Sequence, residues 1–311
     1  MLTEMVEFYA DDGVVLNGYI NKGNIKTSQI LIEIHGMTSN CFKKREKIIA
    51  ENVENIGIDS MCFNNRGSEI IKYIKYRNDK KVLAGTAYEN IEESYYDIIG
   101  AIKYAVQLGY KEIYLQGHSL GATKIVYTFN KMKKNNEIYL KYIKGIILLS
   151  LVDLPYIFKK FSTTKCLEYA LKKENENELL ELMPNNSFVH PMSVKNFLKY
   201  IKNNDEINFA RFSEEDYEFV ELNCIDVPLF MRWGDNKELI ERKIENQVEF
   251  MNKKIKNKEK DIGYINGADH TYSDRESILA NQICDFLKRI KYINLDRNSK
   301  ITFEIGRRFI E

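Results

Sequence analysis

The sequence predicts an α/β protein built on a mostly parallel sheet covered by helices. Two observations carry this reading. Short β-rich runs alternate with helical patterns along most of the chain. Most of the strand candidates end in a turn that contains glycine, as at His35-Gly36, Asn65-Arg66-Gly67, Gly117-His118-Ser119-Leu120-Gly121 and Gly234-Asp235. With 311 residues the chain can bury a large core, as one large domain or two smaller ones.

The elements follow in order. Val6 to Tyr9, a turn at Asp11-Asp12-Gly13, and Val14 to Ile20 read as a hairpin. Gln29 to Ile34 is an apolar strand, Lys43 to Asn55 a helix closed by Gly57, and Ile58 to Phe63 the next strand. Residues 88 to 108 predict an amphipathic helix, because Ile91, Tyr95, Ile98, Ile99, Ile102, Ala105 and Val106 share one face and Gly109 follows as C-cap. Glu112 to Gln116 is a strand, and the helix after it places Ala122, Ile125, Val126 and Phe129 on one face. Gly145 to Leu151, Val227 to Trp233 and Asp261 to Ile265 are the remaining strands. Ser273 and Glu276 have the spacing of a capping box for a last helix carrying Ile278, Leu279, Ile283, Phe286, Leu287 and Ile290.

One interval breaks the rhythm. Residues 154–224 separate two core strands where a short crossover would suffice, and they are rich in Lys, Asn and Glu with a helical pattern broken at Pro184 and His190-Pro191. The division is therefore core (1–153), a helical lid over the carboxyl edge of the sheet (154–224), core again (225–290) and a polar tail (291–311).

Composition excludes several classes. Lys+Arg number 46 and Asp+Glu 45, so the net charge of +1 offers no basic excess for nucleic acid. The longest apolar runs, such as Ile146 to Val152, are too short for a bilayer, and no membrane partner is expected. Residues 1–12 carry Glu4, Glu7, Asp11 and Asp12 rather than the basic start of a targeting segment. Five dispersed cysteines without a CxxC pair fit reduced thiols in the cytoplasm. With no HExxH, Cys/His cluster or phosphate loop, no metal or cofactor is implied.

Chemistry concentrates at Gly117-His118-Ser119-Leu120-Gly121, a G-x-S-x-G pattern directly between a strand and a helix. Such a turn strains the serine backbone, lifts Oγ above the sheet and aims the helix N-terminus at the reacting centre. Together with His35-Gly36, Asn65-Arg66-Gly67 and Gly267-Ala268-Asp269-His270, in that chain order, it makes residues 1 to about 290 resemble the α/β-hydrolase superfamily of serine hydrolases. The resemblance implies eight strands, helices on both faces of the sheet and a triad running Ser, Asp/Glu, His along the chain.

On that resemblance Ser119 is the nucleophile and His270, in the loop after the last strand, its general base. His118 should point away from the reacting face, His35 should serve structure, and His190 should belong to the lid. The backbone N–H groups of Leu120 and Met37 take the places of oxyanion donors. The acid stays open. The family turn Gly-x-x-Asp here reads Gly234-Asp235-Asn236-Lys237-Glu238, with Lys237 at the acid's place. Asp235, Glu238 (through a one-residue bulge) and Asp153 at the end of the preceding strand are the candidates.

The implied reaction is hydrolysis of a carboxylic ester of a small molecule through an acyl-enzyme. Acyl transfer or thioester cleavage on a carrier protein uses the same residues, and a binding protein without turnover is the third reading. The lid resembles those of aryl-ester (cinnamoyl-type) and siderophore-type esterases, the latter over His190-Pro191-Met192-Ser193 to Phe197.

Overall fold

The computed structural model describes residues 2–185, 187–202 and 206–291, so the tail lies outside the described residues beyond its first position. The hairpin is β1 (Leu2–Tyr9) and β2 (Val15–Lys22), paired antiparallel from Leu2 opposite Lys22 to Tyr9 opposite Val15. Then come β3 (Gln29–Ile34), α1 (Lys44–Glu54) and β4 (Asp59–Asn64). A small hairpin of β5 (Lys72–Lys75) and β6 (Lys81–Ala84) forms its own two-stranded sheet. α2 (Ser94–Gln107), β7 (Glu112–His118), α3 (Leu120–Lys134) and β8 (Ile143–Leu149) follow. Between β8 and β9 (Leu229–Gly234) stand α4 (Leu154–Phe161), α5 (Thr164–Asn175), α6 (Val194–Ile201) and α7 (Val220–Asn223). The chain continues with α8 (Ile244–Lys254), β10 (Lys260–Ile265) and a helix α9 over 276–291.

The main sheet has eight strands in the order β1-β2-β4-β3-β7-β8-β9-β10. From β4 to β10 every pairing is parallel, and only β2 pairs antiparallel on both sides. Because side chains alternate along a strand, each central strand feeds two cores. Ile30, Ile32 and Ile34 of β3, Ile146 and Leu148 of β8, and Met231 and Trp233 of β9 pack in the core that includes residues of α2, α3 and α8. Their alternates Leu31, Ile147, Leu149 and Phe230 pack with Ile49 and Val53 of α1 and with Leu279, Ile283 and Phe286 of α9. Helices therefore cover both faces, as the resemblance implied, and all the loops following the parallel strands open at one edge.

Several local expectations change. The helix predicted over 88–108 starts at Ser94 after a 3₁₀ turn at Ile91–Glu93, because Glu89 is turned inward onto Lys124, Oε2 to Nζ 2.6 Å, in a fully buried pair. The β5–β6 hairpin was not anticipated. Ser273 does not cap α9: the helix begins at 276, and Asp269 Oδ1 accepts the N–H groups of Thr271 and Ser273, each at 2.9 Å. Glu276 instead pairs with Lys44 at 3.1 Å.

Arg66 locks the loop after β4. Its buried guanidinium donates to Asp97 at 3.0 and 2.8 Å, to Asp12 at 2.9 Å and to Glu93 at 2.6 Å. One side chain thus ties the β1–β2 turn, the β4 loop and α2 together. No helix among the described residues is long and apolar enough to cross a membrane.

Candidate active site

Ser119 stands between β7 and α3 with φ 54° and ψ −123°, a backbone conformation that costs energy for a residue with a side chain. The turn closes so tightly that a Cβ on Gly117 would sit 2.4 Å from the Gly121 carbonyl oxygen, and one on Gly121 would sit 2.2 Å from that of Ile34. Those two positions accept only glycine, and the strained serine is held by its own N–H, which donates to Leu149 O at 2.8 Å.

Ser119 Oγ lies 3.0 Å from His270 Nε2, and His270 Nδ1 lies 2.7 Å from Glu238 Oε2. These partners fix the tautomer: Nδ1–H donates to the carboxylate, leaving Nε2 to accept from the serine hydroxyl. Glu238 is almost fully buried. Its Oε2 also accepts the Leu239 N–H at 3.0 Å, and its Oε1 accepts the Gly234 N–H at 3.1 Å and the Ser150 hydroxyl. Burial pulls the Glu238 carboxyl upward, but the bonds from His270, Ser150 and Gly234 outweigh it and hold the group below the usual carboxylate range.

The three acid candidates are thereby separated. Lys237 has φ 54°, and this reversal delivers Glu238 to the imidazole. Asp235, another of the three candidates, accepts the Gly267 N–H at 2.7 Å, bracing the loop that carries His270. Asp153 caps α4, accepting Tyr156 N–H at 3.0 Å and both the N–H and hydroxyl of Ser213. Neither touches His270.

The N–H groups of Met37 and Leu120 border the same cavity as Ser119 and have no acceptor among the described residues. The Met37 loop is positioned from behind, where Thr86 Oγ1 accepts the Thr38 N–H at 2.7 Å and donates to Gly67 O at 2.9 Å. His35 is structural: Nδ1–H donates to Gly36 O at 2.9 Å and Nε2 accepts the Asn65 N–H at 3.3 Å. His118 is buried, with its ring 5.0 Å from that of His270, and its Nε2–H donates to the His270 carbonyl at 2.7 Å.

Sequence reasoning missed three residues. Ser150, with φ 47°, places Oγ against Glu238, 3.1 Å from the His270 carbonyl oxygen and 3.0 Å from the Tyr272 hydroxyl. Tyr272 in turn donates to Arg232 O at 2.7 Å, so the ends of β8 and β9 and the loop after β10 are pinned at one junction. A polar residue closing the apolar run Ile146 to Leu149 was the available signal. The third is Arg45, which borders the cavity although only 6% exposed. Its signal was the spacing Arg45, Ile49, Val53, which puts it on the buried face of α1.

The cavity encloses about 740 Å³. Leu154, Ile157, Phe158, Phe161 and Phe188 make an apolar wall from the segment between β8 and β9, with Phe188 stacked on Phe158 at 4.1 Å. Lys43, Lys44, Arg45 and Glu276 stand at the polar part of its lining. No cluster of three or more His, Cys, Asp or Glu suited to a metal occurs among the described residues.

No protein-family model matches the chain, and no curated protein matches it by sequence. Solved structures match it in shape. Est1E from Butyrivibrio proteoclasticus superposes with a TM-score of 0.61 at 19% identity, covering 92% of this chain and 99% of its own. The α/β hydrolase GrgF from Penicillium sp. sh18 gives 0.63 at 16% identity, over 93% and 99%. A soluble variant of monoglyceride lipase from Saccharomyces cerevisiae, in complex with a substrate analogue, gives 0.63 at 12% identity, over 93% and 96%. With the strand order above, these likenesses establish the α/β-hydrolase fold.

Proposed function

We propose that this protein is a serine hydrolase that cleaves a carboxylic ester through an acyl-enzyme. The observation that carries the reading is the continuous relay Ser119 Oγ–His270 Nε2–His270 Nδ1–Glu238 Oε2, at 3.0 and 2.7 Å, with the serine on the strained elbow. Serine alone is a weak nucleophile, and a neutral imidazole at hydrogen-bond distance removes its proton as Oγ attacks the carbonyl carbon. Glu238 stabilises the imidazolium that forms and keeps Nδ1 protonated. The free N–H groups of Met37 and Leu120 receive the oxyanion. His270 then protonates the leaving alcohol, and water clears the acyl-enzyme by the same steps in reverse.

The segment 154–224 acts as the lid, since it supplies the aromatic wall of the cavity. That wall, and the ferulic acid bound to the structural neighbour Est1E, make aryl and alkyl esters the substrates to try first. All five cysteines are free, which supports a reducing cytoplasmic setting.

The test is covalent labelling by a fluorophosphonate probe with mass spectrometry of the digest. The adduct is expected on the peptide holding Ser119, and Ser119→Ala should lose ester turnover by roughly four to six powers of ten. An adduct elsewhere, or none on folded protein, overturns the reading.

A further inference from the structure

The loop that carries the Met37 N–H is joined to the segment proposed as the lid by an unbroken run of backbone hydrogen bonds. Ser39 O accepts the Glu69 N–H at 2.9 Å, and Glu69 O accepts the Thr86 N–H at 2.9 Å. Ile70 O accepts the Ala87 N–H at 2.9 Å, and Ala87 O accepts the Ser193 N–H at 3.0 Å. Ser193 caps α6, its hydroxyl accepting the Asn196 N–H at 3.3 Å. One residue earlier, Met192 O accepts the Met183 N–H at 2.8 Å and closes the loop that presents Phe188, Val189 and His190 to the cavity. That part of the cavity wall and the Met37 loop are thus two ends of one ribbon.

Side chains tighten the ribbon where it passes Thr86, which is fully buried. Thr86 Oγ1 accepts the Thr38 N–H at 2.7 Å and donates to Gly67 O at 2.9 Å, while the Thr86 carbonyl accepts from Asn196 Nδ2 at 3.1 Å. A carbonyl partner fixes which end of the Asn196 amide donates. Asn196 is fully buried as well, and its Oδ1 has no hydrogen-bond partner. A leucine of similar size would avoid the cost of that unsatisfied oxygen, so what the asparagine side chain gains in return is its bond to Thr86. At the other end Thr38 has φ 54°, a conformation that persists only where the surroundings hold it. The Thr38 N–H lies on the peptide directly after Met37, so the Thr86 hydroxyl sets the direction of the neighbouring Met37 N–H.

We infer that Thr86 and Asn196 are positioning residues: Asn196, on the lid, holds Thr86, and Thr86 holds Thr38 so that the Met37 N–H points at the oxyanion. The inference rests on the ester-hydrolase reading and names what keeps the same site in register with its lid. Neither residue borders the cavity. Their effect belongs to the transition state, because the oxyanion exists only there, whereas the acyl and alcohol groups of the ester are bound by other residues.

The experiment measures hydrolysis of 4-nitrophenyl hexanoate by single and double variants, with thermal melts to confirm folding. Thr86→Val keeps the shape and removes the hydroxyl, and it should lower kcat by about ten- to hundredfold with KM changed less than about twofold. Thr86→Ser restores the hydroxyl and should return to within about threefold of wild type. Thr86→Cys, a weaker acceptor of similar size, gives the same test if the valine variant does not fold. A trifluoromethyl ketone forms a hemiketal with Ser119 whose oxyanion meets the same donors, and its affinity should fall in Thr86→Val by the factor lost in kcat/KM. Asn196→Leu should lower kcat about three- to tenfold and add nothing in the Thr86→Val background, since its effect passes through Thr86. Hydrogen exchange at the Thr38 N–H should quicken in both single variants, a measurement that needs no turnover. An unchanged kcat in Thr86→Val, a rise in KM alone, or an equal loss in Thr86→Ser removes the positioning role. Losses that multiply in the double variant remove the tie to the lid. Wild type that neither hydrolyses any ester nor takes the fluorophosphonate label overturns the hydrolase reading and the oxyanion role with it, and exchange at Thr38 then still decides the tie.

Discussion

Lys237 determines which carboxylate serves the imidazole. In a turn that kept φ negative, the acid would fall at its own position, where lysine can neither accept the Nδ1 proton nor balance an imidazolium. With φ 54° the chain reverses, Glu238 enters under His270, and Asp235 is left to hold Gly267 N–H. Glu238→Gln should therefore cost on the order of 10²–10⁴ in kcat, because the amide carries no charge and can present the wrong hydrogen-bonding group. Asp235→Asn keeps an oxygen able to accept from Gly267 and should stay within about tenfold of wild type in the same assay. If the two losses were reversed, the acid would belong to Asp235. The sequence could narrow the acid to this turn but not choose within it, since the choice lies in one backbone dihedral that Asn236-Lys237 does not advertise.

At the scale of elements, legibility followed burial. β3 is found where the apolar residues Ile30, Leu31, Ile32 and Ile34 placed it, and Ile49 and Val53 of α1 stand four residues apart on its buried face. The β5–β6 hairpin was invisible because KYIK and KVLA mix charged and apolar residues with only Ile74 and Ala84 buried. The capping box at Ser273 failed for a different reason: Asp269, closer to those N–H groups in space, took the acceptor's part. The same contrast holds for the site. Motif and order singled out Ser119 and His270, which the fold brings within 3.0 Å of each other, whereas Ser150 and Arg45 reach the candidate site through three-dimensional neighbours that no local spacing reveals. The α4 element carries its own prediction. Phe158 is fully buried and Phe188, half-buried, closes the cavity by stacking on it. Phe188→Ala should open that wall and shift kcat/KM toward bulkier esters by about 1–2 kcal/mol, a factor of five to thirty, when short and branched or aryl esters are compared. An unchanged ratio would remove this wall from substrate selection.

The whole molecule should respond to acid through buried groups that must stay neutral. Burial, followed by the Lys124 charge, lowers His35 to about 3, and burial with Arg45 holds His118 well below the ordinary range. Both are neutral in the fold, whereas in the unfolded chain histidine titrates near ~6.5. The unfolded chain therefore binds more protons below that value, so stability is full above ~6.5 and declines as pH falls toward 3. Glu238, held below its usual value, adds a loss of the same sign at pH below ~4.5. Thermal melts at steps from pH 7.5 to 4 should show a falling Tm that begins near ~6.5, and His35→Gln should flatten the upper part of that slope. Burial raises the Glu33 and Asp153 carboxyls, which act with the opposite sign over part of this interval, so the His35 contribution is read from the difference between wild type and His35→Gln; the same slope in both would contradict a neutral His35. In His35 the reason is visible, since a proton on Nε2 would displace the Asn65 N–H that it accepts.

The positive φ of Ser119 has a consequence for how such a chain can change over generations. Glycine adopts φ 54° without the cost, of order 1–3 kcal/mol, that serine bears there. Drift at this codon is thus biased by folding toward glycine and opposed by turnover alone. Under the proposed mechanism, a lineage that no longer needs the reaction would gain stability from the very substitution that ends it, so a descendant carrying glycine at 119 would be both sturdier and inert.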